Sequence, residues 1–298
     1  MEEQPRLNFR LLSALLKPRF SFSVIFTIIP GLLLGRSLPD AGLVFWTMFG
    51  TMLTAMAAFC YNQIVEARTD ALMERTKDRA LPLGAISVPF AAALGSGLLT
   101  AGCLFLYAMV NIVAAGIALF SFVVYVFIYT MWLKPRSVHN TVIGGFSGSI
   151  GPLIGEAAVR GTITIEGFAM FMLLFLWQPP HFWALSIRLK DDYAAAGLAM
   201  MPVVKGIPYT INQMLFYQVL LIASIVLVTF PLQLGGLIYL IPSLGLGLLV
   251  LYMMIRLRSN PSPEQARKIF GFTILHNTVW HLALSIDLYL NRTYLPGI

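Results

Sequence analysis

The sequence predicts an all-α membrane protein, a single integral membrane domain that spans residues 1–298 and folds as a bundle of nine transmembrane helices. Its composition is the first reason: 58% of the residues are hydrophobic and 11% are charged, whereas about a quarter of a typical soluble domain is charged. The second reason is that apolar stretches long enough to cross a hydrocarbon core of about 30 Å recur along almost the whole chain. No linker or low-complexity tract marks off a second domain.

Each apolar stretch has the length of a membrane-crossing helix. In order, the predicted spans are 20–37, 41–61, 86–109, 112–133, 141–159, 165–187, 212–232, 235–256 and 270–290. The first is predicted to stay as a helix rather than act as a cleaved signal peptide. The preceding segment Met1-Glu2-Glu3-Gln4 is acidic, and the apolar run lacks a small-residue cleavage site.

The basic residues predict how the helices are oriented. With nine crossings, 17 of the 20 Lys and Arg residues lie on one side, leaving only Arg36, Arg160 and Arg292 on the other. By the positive-inside rule that side is cytoplasmic, so the N-terminus is inside and the C-terminus is outside, as expected in a bacterial inner membrane. The net charge of +7 is therefore explained by membrane orientation, and we predict no nucleic-acid partner.

Small residues follow one face of the fifth span. Gly144, Gly148, Gly151 and Gly155 are three or four positions apart. This spacing lets helix backbones approach closely in lipid, so the pattern predicts packing rather than chemistry. Cys60 and Cys103 lie in or beside apolar segments without metal-ligand spacing, and they too are predicted to be packing residues.

The first polar group lies where the second span leaves the membrane. Asn62, Glu66 and Asp70 are four residues apart, which places them on one stripe of a helix with about 6 Å between neighbours. One amide carbonyl and two carboxylates form a hard oxygen site that suits Mg²⁺. Ionisable groups at the end of an apolar helix are costly and usually functional.

The next residues along the chain are basic. Arg75, Lys77 and Arg79 provide charge that complements a diphosphate held by the metal. The alternative is a solvated loop whose mixed charges only keep it at the surface. That alternative does not account for Asn62 and Glu66.

The second polar group follows the sixth span. Pro179 and Pro180 predict a break in that helix at membrane depth, because each removes a backbone donor. His181 comes directly after the prolines, where it can ligate a metal, bind a substrate, move a proton or simply be a satisfied core histidine.

A charged cluster ends this segment. Adjacent residues do not share a helix face, so Asp191 and Asp192 can meet one ion only if the backbone there is irregular. A second Mg²⁺ and an interfacial salt-bridge cluster that includes Lys190 both fit the pattern.

The fourth span ends with aromatic and basic residues. Lys134 is placed to reach the same diphosphate. Tyr129 and Trp132 fit two roles equally well, stabilising an allylic cation through their π faces or anchoring the helix at the interface.

The motifs together resemble the UbiA-type intramembrane prenyltransferases. The resemblance rests on Asn62-x-x-x-Glu66-x-x-x-Asp70 followed by Arg75 and Arg79, and on Tyr129-Thr130-x-x-Leu133-Lys134. Within that family, Trp177-Gln178-x-Pro180-His181, Lys190-x-Asp192-Tyr193 and Met201-Pro202-Val203-Val204 resemble the branch that farnesylates heme.

The resemblance implies a nine-helix bundle with a central cavity that uses Mg²⁺ and farnesyl diphosphate to farnesylate a vinyl group of heme b, with addition of water. By motif position it gives the metal-diphosphate role to Asn62, Glu66 and Asp70, diphosphate contacts to Arg75, Arg79, Lys134 and Lys190, and heme contact to His181. The chemistry of the other residues adds further expectations. These are Asp192 as a metal ligand, Lys77 as a diphosphate contact, Trp177 and Gln178 as heme contacts, and Tyr129, Lys134, Asp191 and Asp192 in the catalytic set with Asn62, Glu66 and Asp70. A complex with a downstream heme-modifying enzyme is a further expectation.

Two departures from the family pattern matter. Glu66 stands where Asp is common, which lengthens the arm but keeps the oxygen ligand. The adjacent Asp191 and Asp192 replace the carboxylates spaced by three in quinone-making relatives, which argues against a benzoate acceptor. A quinone-precursor prenyltransferase is therefore the runner-up. A transporter is a third reading, but it leaves the clustering of charges at one membrane face unexplained.

Overall fold

The structure, a computed structural model, describes residues 9–294. The N-terminal segment Met1–Gln4 and the two chain termini, whose membrane sides the sequence predicts, lie outside this range. All the regular secondary structure of the described chain is helical, and turns and loops connect the helices. Its helices are α1 Phe9–Leu16, α2 Pro18–Phe26, α3 Ile29–Leu32, α4 Ala41–Asp70, α5 Val88–Met109, α6 Ile112–Val123, a π-helix Val124–Leu133, α7 Asn140–Gly148, α8 Gly151–Arg160, α9 Ile165–Arg188, α10 Lys190–Ala195, α11 Met201–Val204, α12 Ile207–Thr229, α13 Leu237–Ser259 and α14 Pro263–Tyr294.

The all-α membrane fold is confirmed, with a change in the first span. Within residues 9–294, eight helices are long and apolar enough to cross a membrane, and a ninth span results if the bent pair Phe9–Leu16 and Pro18–Leu32 counts as one. The two parts of that pair meet at 41°. The bend occurs because Lys17 takes left-handed backbone angles, with φ 48 and ψ 55, and Pro18 then starts a new helix.

Helix α4 carries the first polar group out of the membrane. Asp40 caps its start by accepting a 3.0 Å hydrogen bond from the Leu43 amide. The helix continues for 30 residues, or about 45 Å, which exceeds the hydrocarbon thickness of about 30 Å. Its last turns, with Asn62, Glu66 and Asp70, therefore reach the edge of the apolar layer.

The predicted helix break at Pro179 and Pro180 is wrong. Helix α9 continues through both prolines to Arg188, and both are buried. The prolines remove the amide donors that the carbonyls of Phe175 and Leu176 would otherwise receive, but α12, α14 and α7 pack around α9 and hold its helical path. The backbone at these two prolines is therefore regular helix.

A π-helix instead provides irregular backbone, in the fourth span. Across Val124–Leu133 the hydrogen bonds span five residues, as from the Lys134 amide to the Tyr129 carbonyl at 2.8 Å. Thr130 adds a hydroxyl bond of 2.8 Å to the Tyr125 carbonyl. Such segments often occur at functional sites.

The glycines of the fifth span pack as predicted. A Cβ placed on Gly155 would lie 2.8 Å from the backbone nitrogen of Leu32, and one on Gly151 would collide with Thr27. Both glycines thus allow α8 to lie directly against the first span. The predicted packing role holds for this face.

Two loops meet at one end of the bundle. Met73, from the segment after α4, packs in one apolar cluster with Tyr193, Leu198 and Met200, from the segment after α9. The two polar groups of the sequence are therefore neighbours in space.

Candidate active site

The three polar residues of α4 are buried. Asn62, Glu66 and Asp70 are 4%, 8% and 0% exposed. A carboxylate withdrawn from water is costly unless it is paired. Each of the three has found a different partner on another part of the chain.

Glu66 is paired with Lys134, which follows the π-helix. Burial alone would lower the pKa of the Lys134 ammonium, but the Glu66 carboxylate beside it raises that pKa above the ordinary value. The lysine is therefore a cation at neutral pH. Its Nζ also lies 5.9 Å from the centre of the Tyr129 ring.

Asp70 is paired with Arg79 at 2.6 Å through Oδ2. Thr76 donates its hydroxyl to the Asp70 carbonyl at 2.9 Å, which holds the turn that brings Arg79 back to the end of α4. The other carboxylate oxygen, Oδ1, is buried without a hydrogen-bond partner in the described chain. An orphaned carboxylate oxygen is unfavourable by about 1–3 kcal/mol or more, which a bound cation would offset.

Asn62 donates from Nδ2 to the Thr130 hydroxyl at 3.2 Å. This bond directs the amide group toward the π-helix and leaves its carbonyl oxygen as an acceptor. Among the described residues, no cluster of three or more His, Cys, Asp or Glu side chains is close enough to hold a metal. The donors that fit Mg²⁺ here are the Asn62 carbonyl and the two carboxylates, a hard oxygen set.

Arg75 and Lys77 are placed differently from Arg79. Both are exposed, and Lys77 pairs with the neighbouring Glu74 at 2.7 Å. The hydrogen bond with Glu74 raises the pKa of the Lys77 ammonium. Only Arg79 of the predicted basic trio thus contacts the buried carboxylates.

The second acidic pair lies on a regular helix. Lys190, Asp191 and Asp192 form the first turn of α10, where adjacent side chains diverge by about 100°. Asp191 is exposed and Asp192 is half-buried. Neither carboxylate forms an ion pair with a described residue, so the irregular loop and the salt-bridge cluster considered from the sequence are both absent here.

Two residues to which the sequence analysis gave no role belong to this region. Lys17, at the bend between α1 and α2, lies 5.6 Å from the centre of the Phe59 ring and within electrostatic range of Glu66 and Asp70. Tyr193 is buried beside Met73 and within electrostatic range of Lys134. A Lys-Pro pair near the first span was the available signal for Lys17, whereas Tyr193 appeared only as the last residue of the motif Lys190-x-Asp192-Tyr193 and received no role of its own.

His181 lies in a separate aromatic environment. Its ring is stacked between Trp177, at 4.3 Å and 19°, and Phe270, at 4.4 Å and 20°. Its Nδ1 is 2.8 Å from the Thr273 hydroxyl, and Trp177 donates to the Thr273 carbonyl at 2.7 Å. Gln178 points elsewhere, donating to the Ser149 hydroxyl at 3.3 Å.

This arrangement can bind a compact polyanion beside an apolar interior. Three cations, Lys17, Arg79 and Lys134, surround two buried carboxylates at the end of long apolar helices. Cations and a metal ion can together stabilise a departing diphosphate. The fold and the site define an intramembrane prenyltransferase.

Comparison with known proteins supports that class. Residues 24–278 match the profile described as the UbiA prenyltransferase family, and the chain belongs to that family. A relative from Leptospira biflexa named protoheme IX farnesyltransferase is 42% identical over 94% of this chain and 99% of its own length. One of the same name from Alcanivorax borkumensis is 38% identical over 97% and 96%.

Solved structures show the same fold. A structure from work on digeranylgeranylglyceryl phosphate synthase in membranes aligns with a TM-score of 0.78 at 20% identity, covering 94% of this chain and 98% of that one. A UbiA homolog from Archaeoglobus fulgidus bound to DMAPP and Mg²⁺ aligns with a TM-score of 0.65 at 14% identity over 92% and 99%.

Proposed function

We propose that this chain transfers a farnesyl group from farnesyl diphosphate to a vinyl group of heme b, with addition of water, to give heme O and diphosphate. The name shared by relatives that match nearly the full length supports this reaction. The observation that carries it is the buried acid–base set at the end of α4, where Glu66 meets Lys134 and Asp70 meets Arg79.

Lys134 and Arg79 are the proposed cations for the diphosphate. Each is already held at the end of an apolar helix by a buried carboxylate, so both are oriented before substrate arrives. Lys190 is a proposed third contact from α10. Arg75 and Lys77 face solvent, so their predicted role requires the segment after α4 to close over the substrate.

Asn62, Glu66 and Asp70 are the proposed holders of Mg²⁺, with Asp192 as a further proposed ligand. The unpartnered Oδ1 of Asp70 supports a cation at this position. When bound, the metal would neutralise charge on the diphosphate and make it a better leaving group. Asp191 is exposed, and its predicted catalytic role stays a prediction.

The apolar side of the site is proposed to stabilise and protect the allylic cation. As the bond between the farnesyl carbon and diphosphate oxygen breaks, the ring of Tyr129 beside Lys134 can stabilise the allylic cation. The vinyl carbon then attacks that cation, and water adds to the resulting carbocation with loss of a proton. Exclusion of other water protects the cation before attack.

His181 and Trp177 are the proposed heme contacts, and Gln178 remains a predicted one.

We place the chain in the bacterial inner membrane with its N-terminus in the cytoplasm, in agreement with the distribution of basic residues. The central cavity and the complex with a downstream heme-modifying enzyme stay predictions.

A direct assay tests this function. The full-length chain in lipid nanodiscs is incubated with farnesyl diphosphate, heme b and Mg²⁺, and extracted hemes are identified by mass. We expect heme O with equimolar diphosphate, both abolished by EDTA and restored by Mg²⁺. A product with 4-hydroxybenzoate and none with heme b would overturn the acceptor assignment.

A further inference from the structure

The hydrogen bonds of Thr273 determine which nitrogen of His181 carries the proton. The Thr273 hydroxyl oxygen lies 2.7 Å from the Phe270 carbonyl oxygen. Two oxygens at this distance need a proton between them, and only the hydroxyl has one. The hydroxyl therefore donates to Phe270 and must accept from His181, whose Nδ1 is 2.8 Å away.

The other ring nitrogen of His181, Nε2, therefore keeps its lone pair available to a ligand. A neutral imidazole protonated at Nδ1 has an unprotonated Nε2, which is the form that binds iron. Within the described chain, Nε2 has no hydrogen-bond partner, yet it is not fully buried. It therefore lies on the small accessible part of His181, which is 7% exposed.

The ring is also prevented from turning. Trp177 and Phe270 stack on its two faces, and the Thr273 carbonyl holds the Trp177 indole at 2.7 Å. Thr273 is 1% exposed. A single residue of α14 thus anchors both aromatic side chains of α9 that the proposed acceptor would meet.

We infer that Thr273 is a positioning residue that holds His181 as the Nδ1-protonated tautomer, so that Nε2 can ligate the iron of the heme acceptor. The inference rests on the proposed function for the identity of the acceptor. A group that orients a metal-binding histidine typically changes metal affinity by about 10- to 100-fold when it is removed.

The test is heme binding without catalysis. The full-length chain in nanodiscs is titrated with heme b in the absence of farnesyl diphosphate, and resonance Raman and absorption spectra report an iron–histidine bond. We expect the bond in the wild type and in Thr273→Ser, which keeps the hydroxyl. Thr273→Val should weaken heme binding by about tenfold and reduce the iron–histidine signal, and His181→Ala should remove that signal.

Thr210→Val is the matched control. Thr210 is also fully buried, and its hydroxyl donates to the Gly206 carbonyl at 2.8 Å, but no hydrogen bond joins it to a histidine within the described part of the chain. This variant should bind heme as the wild type does. If Thr273→Val does not fold, Thr273→Ala removes the same hydroxyl without added bulk.

The outcomes separate the two proposals. An unchanged iron–histidine signal in Thr273→Val overturns the inference. If the wild type makes heme O but shows no signal that depends on His181, the inference fails and the proposed function stands. If the wild type neither binds heme b nor makes heme O, both fail.

Discussion

Asp70 uses its two carboxylate oxygens differently. Oδ2 is held by Arg79 at 2.6 Å, while Oδ1 is buried without a partner. A residue retained only for structure would gain from pairing both oxygens, because a buried unpaired acceptor is unfavourable. The unpartnered Oδ1 therefore supports the proposed cation site.

Asp70→Asn should therefore abolish most activity. The amide keeps the shape of the side chain but removes the charge that holds Arg79 and that would hold the proposed cation, so we expect heme O formation to fall by about 10²- to 10³-fold. Heme extraction and mass analysis measure this. Asp78→Asn, on an exposed aspartate of the same segment, should retain full activity. Full activity in Asp70→Asn would contradict the metal assignment.

The pair of Glu66 and Lys134 permits a separate test of stability and catalysis. Lys134→Met leaves Glu66 buried without its partner, and we expect a loss of about 3–5 kcal/mol in the free energy of unfolding. The double variant Lys134→Met with Glu66→Gln removes both charges and should regain most of that stability, yet stay inactive. Thermal unfolding in detergent measures the stability of each variant, and the heme O assay measures its activity. Recovery of activity in the double variant would show that the pair is structural.

At the scale of helices, the irregular backbone lies in a different place from the one expected. The prolines of α9 leave a continuous helix because its neighbours enclose it, whereas the proline-free fourth span unwinds into a π-helix. That π-helix ends at Leu133, directly before Lys134, and directs Thr130 toward Asn62. The altered backbone therefore shapes the site directly.

The close contact between α8 and the first span predicts a strict size limit at Gly155. A Cβ there would lie 2.8 Å from the Leu32 nitrogen, so Gly155→Ala must push the two helices apart. We expect a loss of about 1–3 kcal/mol, measured as a lower midpoint of thermal unfolding. Gly116→Ala, in open space on α6, should be neutral or slightly stabilising. Equal midpoints for the two variants would contradict this packing.

At the scale of the whole molecule, the charge distribution predicts which loops face the cytoplasm. Asp78 and Thr162 are exposed at connections on opposite predicted sides. With Thr162→Cys, we expect labelling of intact spheroplasts by an impermeant maleimide. With Asp78→Cys, labelling should require permeabilised membranes. Cys60 is buried and Cys103 half-buried, so the unsubstituted chain is the control. The reverse pattern would overturn the orientation.

The sequence by itself determined the membrane class, eight of the nine spans and the stripe of Asn62, Glu66 and Asp70, because these depend on hydropathy and on local helical spacing. It also indicated Lys134 and Arg79 as cations for the site. Only the tertiary structure decided which charges meet. The partners of the α4 carboxylates lie up to 68 residues away, and Lys17, Tyr193 and Thr273 acquire their neighbours through packing between distant helices. Spacing along one helix carries no information about such contacts, since they depend on how the helices bend and cross.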